Sequence, residues 1–169
     1  QSVEKFADLP CLGWIQEAGM DRMNLTYSEF ADLVDAVACG LRDKGVIPEE
    51  RIALITDNRM EWAALAYAAN KIGAAYTAMY THQHGSEWKY IIDDAKPTVI
   101  VVADTGILDR LVANLPDQST EWPSGGVILL GDEPPNEIPP EGVDVQNWSE
   151  FVAMGRAADN NDKDGGDFK

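Results

Sequence analysis

Four short apolar runs, RIALIT (51–56), AAYTAM (74–79), TVIVVA (98–103) and GVILLG (126–131), recur along the chain with room for one helix between each pair. RIALIT is too short for a helix and too continuously apolar for a strand with one wet face. It reads as a strand covered on both sides, the signature of a parallel sheet buried between helices. Strand and helix patterns then alternate regularly, which predicts an α/β chain with an open, mostly parallel sheet and helices on both faces.

The helical segments carry their own punctuation. Thr26 and Glu29 have capping-box spacing, Phe30, Leu33, Val34, Val37, Ala38 and Leu41 form one apolar stripe, and Gly45 suits the left-handed residue that closes the helix. After RIALIT, Asn58 is the expected N-cap with Glu61 three residues on. Trp62, Leu65, Ala66, Ala69 and Ile72 follow before Gly73, and Ala63, Ala64, Tyr67 and Ala68 fill the other faces, so this helix is expected to be largely buried. The next helix is expected to be capped by Ser86 and to bury Trp88, Ile91, Ile92 and Ala95 ahead of Pro97. A further one, over 105–115, buries Ile107, Leu108, Leu111, Val112 and Leu115. Upstream, PCLGWI and RMNLT flank a Gly-containing turn in EAGMD and predict a short hairpin. DEPPNEIPPEGVD (132–144) reads as a surface loop leading to a short helix around WSEFVAMG. The ordered domain is therefore expected over 1–155, with an acidic, disordered tail over 156–169.

Composition narrows the function classes. Thirteen Lys and Arg against 29 Asp and Glu give a formal charge of −16, which disfavours any grip on nucleic-acid phosphates. No apolar run approaches the roughly 18 residues that span a bilayer, and the N-terminus lacks a basic segment followed by an apolar one. Cys11 and Cys39 are the only cysteines. Two thiols without a CxxC pattern fit an intracellular protein, cytoplasmic or held peripherally at a membrane by parts not present here. The chain opens on Gln1 rather than Met, as a processed protein or an excerpt of a longer one would.

Candidate chemistry is sparse. Asn160, Asp162, Asp164 and Gly165 match the opening of a calcium-binding loop, but the acidic residue required at its twelfth position is missing. His82 and His84 with Glu87 lack a further His or Cys to complete a metal site. Asp93 and Asp94 precede a strand, whereas ligand-facing loops in parallel sheets follow strands. Thr105 and Gly106 form at most a minimal anion nest. GxGxxG, GxxxxGK[ST] and GxSxG are all absent, and no Ser/His/Asp or Cys/His set stands out. No catalytic residue and no metal ligand is assigned.

Longer stretches say more than single motifs. LTYSEFADLVDAVACGLRDKGV (25–46), RIALITDNRMEWAALAYAANKIGAAYTAMY (51–80) and WKYIIDDAKPTVIVVAD (88–104) resemble, in order and spacing, the N-terminal part of the AMP-forming acyl-CoA synthetase superfamily. The Glu-Trp pair and SEWKYIIDDA look more like fatty acyl-CoA synthetases than amino-acid-activating domains. Glu49 and Glu50 stand where that family usually has Gly-Asp, and Ala78 where Pro is common.

The resemblance implies the N-terminal portion of the adenylate-forming large domain. The parent protein would be an ATP-dependent fatty acid–CoA ligase using ATP, Mg²⁺ and CoA. Its partners would be the remainder of the same polypeptide and a small carboxylic (fatty) acid. The phosphate loop and mobile lysine of such enzymes lie downstream of the matched segments, so this chain alone is expected to be inactive and to bind no cofactor tightly. The loop after the Lys-x-Gly-x-x-Tyr segment lies near the CoA nucleotide in that family, which makes Tyr80, Thr81 and His82 the candidate ligand contacts; simple packing at a strand end is the competing role for Tyr80. A non-catalytic, stand-alone α/β binding module sharing this half-domain is the alternative.

Overall fold

The computed structural model describes residues 2–15, 22–115, 122–131 and 139–164. A short helix α1 (Ser2–Phe6) leads into an antiparallel hairpin of β1 (Pro10–Ile15) and β2 (Arg22–Thr26). The chain then runs α2 (Tyr27–Asp43), β3 (Arg51–Ile55), α3 (Met60–Ile72), β4 (Ala75–Met79), α4 (Gly85–Ala95), β5 (Val99–Val102), α5 (Thr105–Asn114), β6 (Val127–Leu129), β7 (Val145–Asn147) and α6 (Trp148–Asp164). The EAGMD turn and residues 132–138 of the expected loop lie outside the described residues.

Strands β3 to β7 form one wholly parallel sheet in the order β4-β3-β5-β6-β7. Its centre is dry on both faces, as RIALIT and TVIVVA require. Because side chains alternate along a strand, Ile52, Leu54, Val99, Val101 and Ile128 point into a core shared with α2, α3 and α6. Ala53, Ile55, Ile100, Val102, Val127 and Leu129 point into a second core under α4 and α5. AAYTAM departs from the buried-strand pattern: β4 is the edge, with Ala75, Tyr76 and Ala78 exposed and Met79 its one buried residue. Strand β7 has no apolar run to announce it, since VQN is only partly buried at the opposite edge.

Helix α2 starts as expected. Thr26 N–H donates to Glu29 Oε2 at 2.8 Å and Glu29 N–H donates back to Thr26 Oγ1 at 3.2 Å. It closes on Gly45 (φ 87°), where Val46 N–H reaches the Leu41 carbonyl and Gly45 N–H the Arg42 carbonyl. Two other caps differ from expectation. Helix α3 begins at Met60 with Arg59, not Asn58, in the extended N-cap conformation, and Arg59 takes no side-chain cap bond. Arg59 instead grips Glu61 through two hydrogen bonds of 2.8 and 2.9 Å, so the carboxylate expected to close a capping box is spent on a guanidinium. Helix α4 is capped by His84, whose Nδ1 accepts from Ser86 N–H while its own N–H donates to Glu87 Oε2 at 2.9 Å; Ser86 falls inside the first turn. Within α3, Tyr67 is 63% exposed, its ring edge-on to Phe30, and Trp62 is half-buried against Tyr76.

Helix α6 continues to Asp164, into the stretch expected as a tail. Phe151 and Val152 are buried in the α2-side core and seed the helix, and Ala157 and Ala158 favour its extension. Asn160, Asp162 and Asp164 therefore fall within a helix rather than a loop; Gly165 is outside the described residues. Helices α2 and α6 cross closely at two glycines. A Cβ on Gly40 would stand 2.7 Å from the Phe151 ring, and one on Gly155 would run into the Ala36 carbonyl oxygen.

The turn into β3 holds a strained residue. Glu49 has φ 73°, a left-handed conformation costly for any residue with a Cβ, and its N–H is tied to the Gly73 carbonyl at 2.9 Å. Glu49→Gly is expected to stabilise the chain by about 1 kcal/mol, a rise in Tm of roughly 2–4 °C. A lower Tm for this variant would show that the glutamate side chain contributes more than the backbone costs.

Candidate functional site

The strand order places a topological switch between β3 and β5: the chain leaves β3 toward β4 on one side, then crosses back to β5 on the other. In open parallel sheets the crevice at the carboxyl ends of the strands beside such a switch is where ligands bind. Here that edge is built by Thr56–Arg59 after β3, Tyr80–His84 after β4 and Ala103–Thr105 after β5.

Loop 80–84 is held from several directions. Trp88, fully buried in α4, donates its Nε1–H to the Tyr80 carbonyl at 3.1 Å. Arg110 of α5 donates to the Thr81 carbonyl at 2.7 Å and the Gln83 carbonyl at 2.6 Å, and its guanidinium lies 4.3 Å from the Trp88 ring centre. Within the loop, Tyr80 N–H donates to Gln83 Oε1 at 2.8 Å. Across the switch, Thr81 Oγ1 donates to Asp57 Oδ1 at 3.0 Å, tying the β4 exit to the β3 exit. Gly85 allows α4 to meet α5, since a Cβ there would collide with the Asn114 side chain.

Of the three candidate contacts, Tyr80 is 67% exposed and not packed in the core; its ring lies against that of His82, centroids 5.5 Å apart and tilted by 31°. Thr81 is half-buried and its hydroxyl is engaged by Asp57, while His82 is exposed. Tyr80 thus stands exposed at the end of the edge strand β4. His82 and His84 do not act together: one stacks on Tyr80, the other caps α4.

The remaining sequence candidates fall elsewhere. Asp93 and Asp94 are exposed at the far end of α4, and Asp93 pairs with Lys89 at 2.8 Å. The nest at Thr105 and Gly106 is already served by a carboxylate, because Asp104 Oδ1 accepts from Ile107 N–H at 2.8 Å as the N-cap of α5. Asp104 also reaches Arg59, whose pKa is raised first by its hydrogen bond to Glu61, with burial opposing and the charges of Glu61 and Asp104 adding. Asn58, freed from capping, lines a cleft with Leu12, Trp14 and Met60 between the hairpin and α3. Among the described residues no three His, Cys, Asp or Glu side chains converge. With Asp57 and Asp104 already engaged, the residues here do not fit a Mg²⁺ ligand set.

Asp57, Gln83 and Arg110 were not among the residues singled out in the sequence. Arg110 sits on the polar side of an ordinary amphipathic helix, and nothing in its spacing reports that β5 lies two strands away from β4. Removing one of its companions tests how the loop is held: Trp88→Phe keeps an aromatic core but drops the bond to the Tyr80 carbonyl. We expect a loss of about 1–2 kcal/mol and faster amide exchange at Thr81–His84; unchanged exchange there would show that Trp88 does not hold the loop.

The sequence profile of the family described as AMP-binding enzyme matches residues 1–164. An L-proline–[L-prolyl-carrier protein] ligase of Streptomyces coelicolor is 32% identical over 133 residues, 79% of this chain and 24% of its own length. A long-chain fatty acid–CoA ligase of Rattus norvegicus is 23% identical over 156 residues, 92% of this chain and 20% of its own. Among solved structures, an acetoacetyl-CoA synthetase from Streptomyces lividans superposes with a TM-score of 0.71 over 90% of this chain and 24% of that one; at 19% identity this likeness concerns the fold. The chain spans 15 to 24% of the length of the curated relatives it matches.

Proposed function

The chain belongs to the AMP-binding enzyme family, and from that premise we propose that it is the N-terminal section of an ATP-dependent ligase that activates a carboxylic acid and passes it to CoA. In the reaction, a carboxylate oxygen attacks the α-phosphorus of ATP, forming the acyl adenylate and releasing pyrophosphate. The CoA thiolate then attacks the acyl carbonyl carbon, and AMP leaves. Mg²⁺ would neutralise the phosphates, and no residue of this chain is assigned to hold it.

The observation that carries the reading is the family match over almost the whole chain, and the parallel sheet with its switch at β3 and β5 is consistent with it. This chain contributes scaffold and one wall of the site. Loop 80–84 is the CoA side: it follows a strand, it is fixed from beneath, and it presents Tyr80 and His82 outward as an aromatic surface on which a purine can stack. We read the acid as a fatty acid, supported by the segment SEWKYIIDDA and by the alignment of a long-chain fatty acid–CoA ligase across 92% of this chain. The proline- and benzoate-specific names of other relatives are the competing substrate classes. No helix among the described residues is long and apolar enough to cross a membrane, and the two thiols, Cys39 buried and Cys11 half-buried, suit an intracellular setting.

ATP–pyrophosphate exchange tests this directly. The 169-residue chain is expected to give none with any fatty acid, whereas the complete ligase containing it exchanges with fatty acids in preference to proline or benzoate. Exchange by this chain alone would place the active site within it, and a complete protein that activates only aryl or amino acids would overturn the fatty acid reading. In the complete ligase Tyr80→Ala is expected to raise KM for CoA about tenfold, with exchange unchanged.

A further inference from the structure

We propose that Arg110 is the positioning residue of the CoA-facing loop: it holds the loop carbonyls of Thr81 and Gln83 in place and does not itself contact the nucleotide. The proposal rests on the reading of loop 80–84 as the CoA side. Its basis is that two nitrogens of the guanidinium are held by loop carbonyls while its face rests on an indole. One nitrogen donates to the Thr81 carbonyl at 2.7 Å, another to the Gln83 carbonyl at 2.6 Å, and the planar face lies over Trp88 at 4.3 Å. Trp88 completes the clasp from α4 by donating to the Tyr80 carbonyl.

Three carbonyls of a five-residue turn are thus drawn toward the protein by two side chains that are themselves in contact. The consequence is outward presentation of Tyr80 and His82, two exposed rings that lie against each other. A turn already fixed in this way loses little conformational freedom when a ligand stacks on it, so part of the cost of binding is met during folding. The two-pronged geometry is specific to arginine. A lysine at 110 carries the same charge but presents one compact ammonium and cannot bridge two carbonyls while lying flat on an indole.

The test uses the complete ligase with Arg110→Ala, Arg110→Lys and Tyr80→Ala, each measured for KM of CoA and for ATP–pyrophosphate exchange. Both Arg110 variants are expected to raise KM for CoA roughly tenfold while exchange stays within about twofold of wild type. Amide exchange at Thr81 and Gln83 should accelerate in both without CoA present. If Arg110→Lys retains wild-type KM, charge alone suffices and the positioning role is overturned. If exchange falls in step with the thioester reaction, the arginine merely stabilises the fold and the proposal is again overturned. Tyr80→Ala separates this proposal from its premise. A shift with Tyr80→Ala but not with the Arg110 variants overturns the positioning role alone; no shift with any variant overturns the CoA reading of the loop together with it.

Discussion

Burial of β3 and β5 on both faces is the constraint from which the remaining structure follows. Ile52 to Ile55 and Val99 to Val102 are all fully inaccessible to solvent, so neither face of the central strands can be left to water. Helices must cover each side, and a parallel sheet requires long crossovers to supply them. Helices α2, α3 and α6 close one face, and α4 and α5 the other. Having helices on both faces goes with the chain moving first outward to β4 and then back past β3 to β5, and that reversal creates the switch at the carboxyl edge.

Polar side chains gather at that edge because the sheet's interior is almost wholly apolar. Thr56 and Thr98 are the buried polar residues among those described, and Thr98 donates its hydroxyl to Glu50 Oε2 at 2.6 Å. By contrast, the edge beyond β3, β4 and β5 gathers Asp57, Arg59, Thr81, Asp104 and Arg110, linked by hydrogen bonds or charge. Most of those groups restrain one another: Thr81 with Asp57, Arg59 with Glu61 and Asp104, Arg110 with the loop. What they leave outward is Tyr80 and His82. On the reading proposed above, the loop serves by its shape and its aromatic surface.

Much of the fold was legible in the sequence because burial imposes periodicity. The strands at RIALIT and TVIVVA and the stripe of α2 announce themselves through apolar spacing, and Thr26 with Glu29 announces the start of α2. Less legible were features decided by competition between neighbours. Asn58 is a better N-cap residue than Arg59, yet the pull of Arg59 on Glu61 and the register of β3 start the helix later. Ser86 yields to His84 because an imidazole with a free Nδ1 can also accept from the first turn. Strand β7 and the clasp by Arg110 depend on the sheet order, which no local pattern encodes. The usual Gly at position 49 was a family habit whose physical cause, a left-handed backbone, persists here under a glutamate.

On the proposed reading, ligand contact belongs to the carboxyl edge at loop 80–84 and not to the cleft at the opposite edge, lined by Gly45, Glu50, Lys96 and Thr98. Photo-crosslinking of the complete ligase with a CoA analogue carrying a photoreactive adenine, followed by peptide mapping, tests it most directly. Within residues 1–169, label on the peptide containing Tyr80 to His82 is the predicted result. Label confined to peptides of the opposite edge, at Gly45 to Glu50 or Lys96 to Thr98, would contradict it.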